Sequence, residues 1–143
     1  MSKGCHLCAE PGGEPVWADG LLRVVRVEDT PDFPAFYRVI WTEHVAELSD
    51  LGPDDLRHCM DAVVCVERTM RQHLAPTKMN VATLGNMVAH LHWHVIARFD
   101  WDTHFPYPIW ATAQRAADTV LMQRLRASLA DLDRAVAAAL ADK

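Results

Sequence analysis

The sequence predicts an α+β fold in which a largely antiparallel sheet carries one packing helix and a second helix closes the chain. Three observations predict it. Short runs of strand-forming residues recur between turn residues, at 21–27, 36–41, 78–84 and 88–97. A helical apolar stripe stands between the second and third of these runs, and another follows the last. At 143 residues, with half of them apolar, the chain is of a size for one domain and one core. Residues 1–143 are therefore read as a single unit, with its body at about 5–98 and an aromatic segment and helix at 99–143.

Each element has a local cause. PGGEP at 11–15 is turn chemistry, and LLRVVRV at 21–27 is a β-branched run broken by two arginines. Two prolines in TPDFP bar regular pairing before FYRVIW at 36–41, which is expected to pair antiparallel with the first run. Gly52 and Pro53 open a helix whose first turn holds Asp54 and Asp55 at the positive end of the dipole. Its stripe of Leu56, Cys59, Met60, Val63, Val66, Met70 and Leu74 assigns Cys59 and Cys65 to the core, and Pro76 stops it. Gly85 and Asn86 make a tight turn between the last two runs. Leu121, Leu125, Leu129, Leu132, Val136 and Leu140 mark the final helix, which is expected to pack on the sheet or on a second subunit.

Charge and composition narrow the partners. Fourteen basic against nineteen acidic residues give a net charge of −5 without any basic run, which disfavours binding to a nucleic acid polymer. No apolar stretch approaches the roughly 20 residues a membrane span needs, and the N-terminus lacks a signal core, so a cytoplasmic location is expected. Cys5 and Cys8, spaced CHLC, can bring two thiolates to one ion, supplying two of the four ligands of a zinc site.

The chemistry is concentrated in His90-Leu91-His92-Trp93-His94-Val95-Ile96. On a strand, alternate side chains share a face, so three imidazoles face one site while Leu91, Trp93 and Val95 enter the core. Two readings fit: HxH as metal ligands, or imidazole as a nucleophile in phosphate chemistry. Residues 81–99 contain no acidic side chain to complete a catalytic metal site. They do offer hydrogen-bond donors for a phosphoryl group, as do Asn80 and Asn86 with the amides of its turn.

NVATLGNMVAHLHWHVIAR resembles the signature of the histidine triad (HIT) superfamily, His-φ-His-φ-His-φ-φ with φ apolar, at all seven positions. CHLC, an acidic turn after the first strand and a histidine after the second recur in the family in the same order. The resemblance implies a HIT-like fold, in which a meander-like antiparallel sheet carries a central packing helix, and usually a homodimer. It implies hydrolysis or transfer at the α-phosphate of a small-molecule purine nucleotide derivative: a phosphoramidate, an acyl nucleotide or a dinucleoside polyphosphate. The middle histidine, here His92, would be the nucleophile, with its other nitrogen held by a main-chain carbonyl, by position that of His90. His94 would bind the phosphate or leaving group and assist proton transfer. Glu28 or Asp29 would bind the ribose hydroxyls. Cys5, Cys8, His44 and His90 match the ligands of a structural zinc found in some members, while catalysis would need no cofactor.

The sequence also departs from the family pattern. Phe36 stands where the family has a further active-site histidine, Trp41 and Thr42 replace Pro-Lys, Asn86 replaces a glutamine, and Met87 replaces a hydroxyl residue. Trp101 and Trp110 are expected to pack, with base or leaving-group selection as their alternative role. Two other function classes stay open at this point: a zinc-dependent hydrolase using the HxHxH face, and a nucleotide-binding protein without turnover.

Overall fold

The computed structural model describes residues 3–143. Five strands, β1 (Glu14–Ala18), β2 (Leu22–Arg26), β3 (Phe36–Trp41), β4 (Lys78–Ala82) and β5 (His92–Arg98), form one sheet in the order β1-β2-β3-β5-β4. Every neighbouring pair is antiparallel. The order is a meander only as far as β3. From there the chain crosses through the long helix to the far edge, lays down β4 and turns back, so that β5 fills the gap beside β3. The histidine strand thereby has a partner on both sides.

β1 is an element that the turn chemistry of PGGEP hides. Pro15 has no N–H to donate, and proline is tolerated in a strand at a sheet edge, which is where β1 lies, with a register shift between Pro15 and Trp17. A short helix, α1 (His6–Ala9), precedes it. The helix α2 (Pro53–Leu74) follows the sequence reading: Gly52 caps it, Pro53 occupies its first turn, and Ala75 leaves in the left-handed region before Pro76. Cys59 and Cys65 are buried in its core-facing stripe, and burial raises the Cys59 thiol to about 11.

Alternation divides the sheet into two working faces. Leu22, Val24, Tyr37, Val39, Trp41 and Val95 are buried beneath α2 together with Val63, Val66 and Met70. The opposite face carries Val25, Ile40, Phe36 and Ile96 in two smaller clusters, closed by Leu7 from α1 and by Val27 and Phe33. The helix α3 (Thr119–Ala141) is capped by Asp118, whose side chain accepts the Leu121 amide. It packs through Leu125, Leu129, Leu132, Val136 and Leu140 into the α2 core, and not on a second subunit alone. Among the described residues, no helix is long and apolar enough to cross a membrane.

One polar cluster fixes α3 against the sheet. Asp133 accepts from Arg26 Nε at 3.0 Å and Nη2 at 3.0 Å, and from the Tyr37 hydroxyl at 2.6 Å. Burial and the Asp133 carboxylate both raise the Tyr37 pKa, keeping the phenol protonated and donating. Removing the carboxylate strands a half-buried guanidinium and a buried hydroxyl at once. Asp133→Ala should therefore lower stability by about 2–3 kcal/mol, whereas Asp131→Ala on the exposed side of the same helix should change it by less than about 0.5 kcal/mol, both read from urea unfolding.

Candidate active site and metal centre

β5 begins at His92, later than the expected start at 88: the Trp41 amide still donates to the Leu91 carbonyl, but the Leu91 amide turns to the Val45 carbonyl and that of His90 to the Val88 carbonyl. Residues 83–91 instead form a loop, turned by Gly85 at φ +84° and held to the strand by Thr83, whose hydroxyl donates to the His92 carbonyl at 2.6 Å. His90 thus precedes the strand, and its backbone and ring have separate duties. Its carbonyl accepts from His92 Nδ1 at 2.6 Å, the bond that the triad spacing leads one to expect. Its Nε2 donates to the Trp41 carbonyl at 2.6 Å. That bond leaves His90 Nδ1 as a bare lone pair, aimed at Cys5 Sγ (3.5 Å), Cys8 Sγ (3.4 Å) and His44 Nδ1 (3.2 Å).

These four side chains form a compact donor set. Cys8 Sγ also lies 3.3 Å from His44 Nδ1, and all four ligand atoms fall within 4.8 Å of one another. A zinc tetrahedron with ordinary Zn–S and Zn–N bonds has edges of about 3.3–3.8 Å, so the spacing and the donor chemistry both fit such an ion. Ordinary hydrogen bonding does not account for it, since one lone pair cannot satisfy three close neighbours. Arg23 secures the arm that brings the cysteines in, donating to the carbonyls of Leu7, Glu10 and Pro11 at 2.6–3.0 Å.

His92 and His94 stand edge to face on the opposite side of the sheet from α2, with ring centroids 5.0 Å apart. With Nδ1 donating to the carbonyl, His92 presents Nε2 as its lone pair. Burial, opposed by that carbonyl and reinforced by Arg38 and His90, holds His92 below the ordinary histidine value. Burial, His92 and Arg38 together push His94 down to about 4. Both rings are accordingly neutral at pH 7.

Two hollows open on either side of His92. One, of about 640 Å³, is lined by His6, Gly12, Glu28, Asp29, Arg38 and His92 among others. The other, of about 570 Å³, is lined by Leu84, Asn86, Met87, His94, Trp110 and again Arg38 and His92 among others. Glu28, Asp29 and Asn86 thus lie beside the triad. Asn80 does not line either hollow: it pairs with Ile96, two residues beyond His94, and its Oδ1 accepts from Arg98 Nη1 at 2.9 Å. The β4–β5 register thus ties the Asn80 side-chain carbonyl oxygen to Arg98, just beyond the two triad histidines on the strand. Trp101 stacks on Phe99 at 4.8 Å and packs against the main core, whereas Trp110 is 65% exposed at the mouth of the second hollow.

Arg98 also explains the irregular segment that follows it. Its guanidinium donates to both oxygens of the buried Asp102 at 2.8 and 3.0 Å and to the Tyr107 carbonyl at 2.8 Å. Asp102 in turn accepts the amides of Phe99, His104 and Phe105. The residue that sequence reasoning missed is Arg38. A usable signal was present: it shares a strand face with Phe36, the position where the resemblance had already placed a site residue.

A family model described as the HIT domain matches residues 16–101, and the chain belongs to that family. A histidine triad protein from Bradyrhizobium japonicum is 26% identical with a TM-score of 0.67, covering 85% of this chain and 90% of that one. A histidine triad protein from Marinobacter aquaeolei is 24% identical with a TM-score of 0.70, covering 96% and 99%. A zinc-bound histidine triad family protein from Mycobacterium smegmatis, at 23% identity and a TM-score of 0.60, covers 94% and 99%. No curated protein matches the sequence significantly. The family and its fold support a nucleotide-related function, of the hydrolase or transferase kind.

The low value of His94 makes a prediction for acid stability. The unfolded chain takes up this proton near the ordinary 6.5, while the folded one resists it until about 4. The contribution is therefore fully present above 6.5 and is lost as pH falls through that window. Denaturant midpoints should decline more steeply between pH 6.5 and about 4 in the wild type than in His94→Asn.

Proposed function

We propose that the protein is a nucleotidyl hydrolase or transferase acting at the α-phosphate of a small purine nucleotide derivative through a covalent nucleotidyl-histidine. The observation that carries this reading is the 2.6 Å bond from His92 Nδ1 to the His90 carbonyl, which leaves a neutral imidazole with a fixed, unprotonated Nε2 between two hollows. In the first step Nε2 bonds to the α-phosphorus and the bond to the leaving group breaks, its electron pair departing with that group. In the second, water bonds to phosphorus and gives up a proton to solvent, the P–N bond breaks with its electron pair returning to Nε2, and the nucleoside monophosphate leaves a restored, neutral His92. Glu28 and Asp29 supply carboxylates for the ribose hydroxyls, and Asn86 and His94 border the leaving side.

We further propose that Cys5, Cys8, His44 and His90 hold a structural zinc; the tight donor set and the existence of a zinc-bound relative support this. The ion would supply a positive centre that four protein ligands close to water, with no open position for a substrate. The protein is expected to act as a homodimer in the cytoplasm, without nucleic acid polymers or membranes as partners.

The deciding assay is release of AMP from adenosine 5′-phosphoramidate and from a dinucleoside tetraphosphate, with wild type and His92→Ala side by side. Turnover should survive brief exposure to EDTA and fall by at least about 10³-fold in His92→Ala, where a denatured single-turnover sample no longer carries nucleotide on the protein. Abolition by chelator at unchanged fold would favour a zinc hydrolase, and tight nucleotide binding without release would favour a binding protein. Elemental analysis should find about one zinc per chain. Cys8→Ala should lose it and drop the thermal midpoint by about 5 °C or more.

A further inference from the structure

Among the described residues, Arg38 is the one arginine or lysine shared by the two hollows. It pairs across the β3–β5 ladder directly with His94, and its guanidinium carbon lies 5.7 Å from the centre of the Phe36 ring. Nη1 donates to the Gly12 carbonyl at 3.0 Å. Gly12 itself, at φ +86°, lies so close to the Leu7 and Ile40 side chains that a Cβ would meet them at 2.9 and 3.0 Å. Nε is buried and has no hydrogen-bond partner among the described residues. None of the ion pairs there includes Arg38, although Asp29 is near enough to favour its charge. Burying a guanidinium without a carboxylate partner is costly, so its position calls for an anion from outside the chain.

The two hollows differ in charge. Around the first, Glu10, Glu28 and Asp29 face Arg38 and His6. Around the second there is no acidic side chain among the described residues: Arg38 is joined by His92, His94, Asn86 and the apolar Leu84, Met87 and Trp110. A leaving group seated there meets a positive charge and an exposed aromatic ring.

From this geometry we infer that Arg38 determines specificity for a leaving group that begins with a phosphate, making the substrate class nucleotide phosphoanhydrides. This rests on the reading under Proposed function and deepens it. Arg38 binds the β-phosphoryl group, and when His92 Nε2 bonds to the α-phosphorus the bridging oxygen leaves with its electron pair as a terminal phosphate oxygen beside the guanidinium. Such a group departs as an anion and needs no proton. The neutral state in which burial keeps His94 suits that departure better than the release of an amine, which must be protonated as it leaves. Arg38 also supplies positive charge on a side where Met87 offers no hydroxyl contact.

The test compares affinities for AMP and for the α,β-methylene analogue of ADP, which cannot be cleaved between its phosphates, by titration calorimetry on the full chain. The wild type should prefer the analogue by about tenfold or more. Arg38→Met should abolish that preference by weakening the analogue more than AMP, and Arg38→Lys should keep part of it. Arg38→Gln, which retains a donor for the Gly12 carbonyl, serves the same comparison if the methionine variant does not fold. A wild type without the preference, a variant that keeps it, or equal loss of both ligands in a folded variant overturns the assignment. No affinity for either ligand overturns it together with the proposed function. Because the comparison needs no turnover, absence of AMP release counts against the catalytic reading alone.

Discussion

The structure depends on how His90 divides its hydrogen-bonding groups. A histidine has two ring nitrogens and one carbonyl, and here each is committed to a different part of the fold: Nε2 to the Trp41 carbonyl at the end of β3, Nδ1 to the cysteine arm and His44, and the backbone oxygen to His92. The first bond decides the tautomer, the second fixes where the N-terminal segment lies, and the third orients the candidate nucleophile. These are consequences of one side chain leaving the strand one step before pairing begins. A residue that remained in the ladder at 90 would have its carbonyl spent on a neighbouring strand.

Placement of the reacting groups follows from the sheet order. Because β5 is inserted between β3 and β4, His92 and His94 are supported from both sides, and β3 contributes Arg38 at the same level as His94. The α2 core on the other face makes that platform rigid, since Val95 and Tyr37, which alternate with the site residues, are fully buried. The site side has only small apolar clusters and so has room for two hollows. Division of labour between faces is the direct result of the period-two alternation in FYRVIW and HLHWHVIAR.

Much of this is legible in the sequence because it depends on local periodicity. The stripes of α2 and α3, the alternation from His92 onward and the punctuation by Pro53 and Pro76 are short-range signals, and the structure reproduces them, whereas His90 leaves the strand the sequence expects for it. What is not legible depends on partners distant in sequence. β1 is a strand because an edge position tolerates Pro15, and only the sheet order defines an edge. Asn80 has a side chain suited to phosphate, but the β4–β5 register brings it to Arg98. In the sequence, Arg38 is simply one member of a strand. Its significance emerges from its pairing with His94 and from the turn at Gly12.

The bonding around Arg98 has a dynamic consequence. The segment that follows β5 has no regular ladder, yet the amides of Phe99, His104 and Phe105 share a single acceptor, Asp102, which is itself held by Arg98. Arg115 adds donations to the carbonyls of Asp102 and Phe105, tying the far end of the segment to the same point. A loop fastened at many independent points frays one residue at a time. Here the three amides that share the Asp102 carboxylate have one common anchor, so loss of that anchor would release all three to solvent exchange together. Trp110 lies between Tyr107 and Arg115, both bonded to the Arg98–Asp102 pair, so that pair also fixes the indole at the mouth of the second hollow.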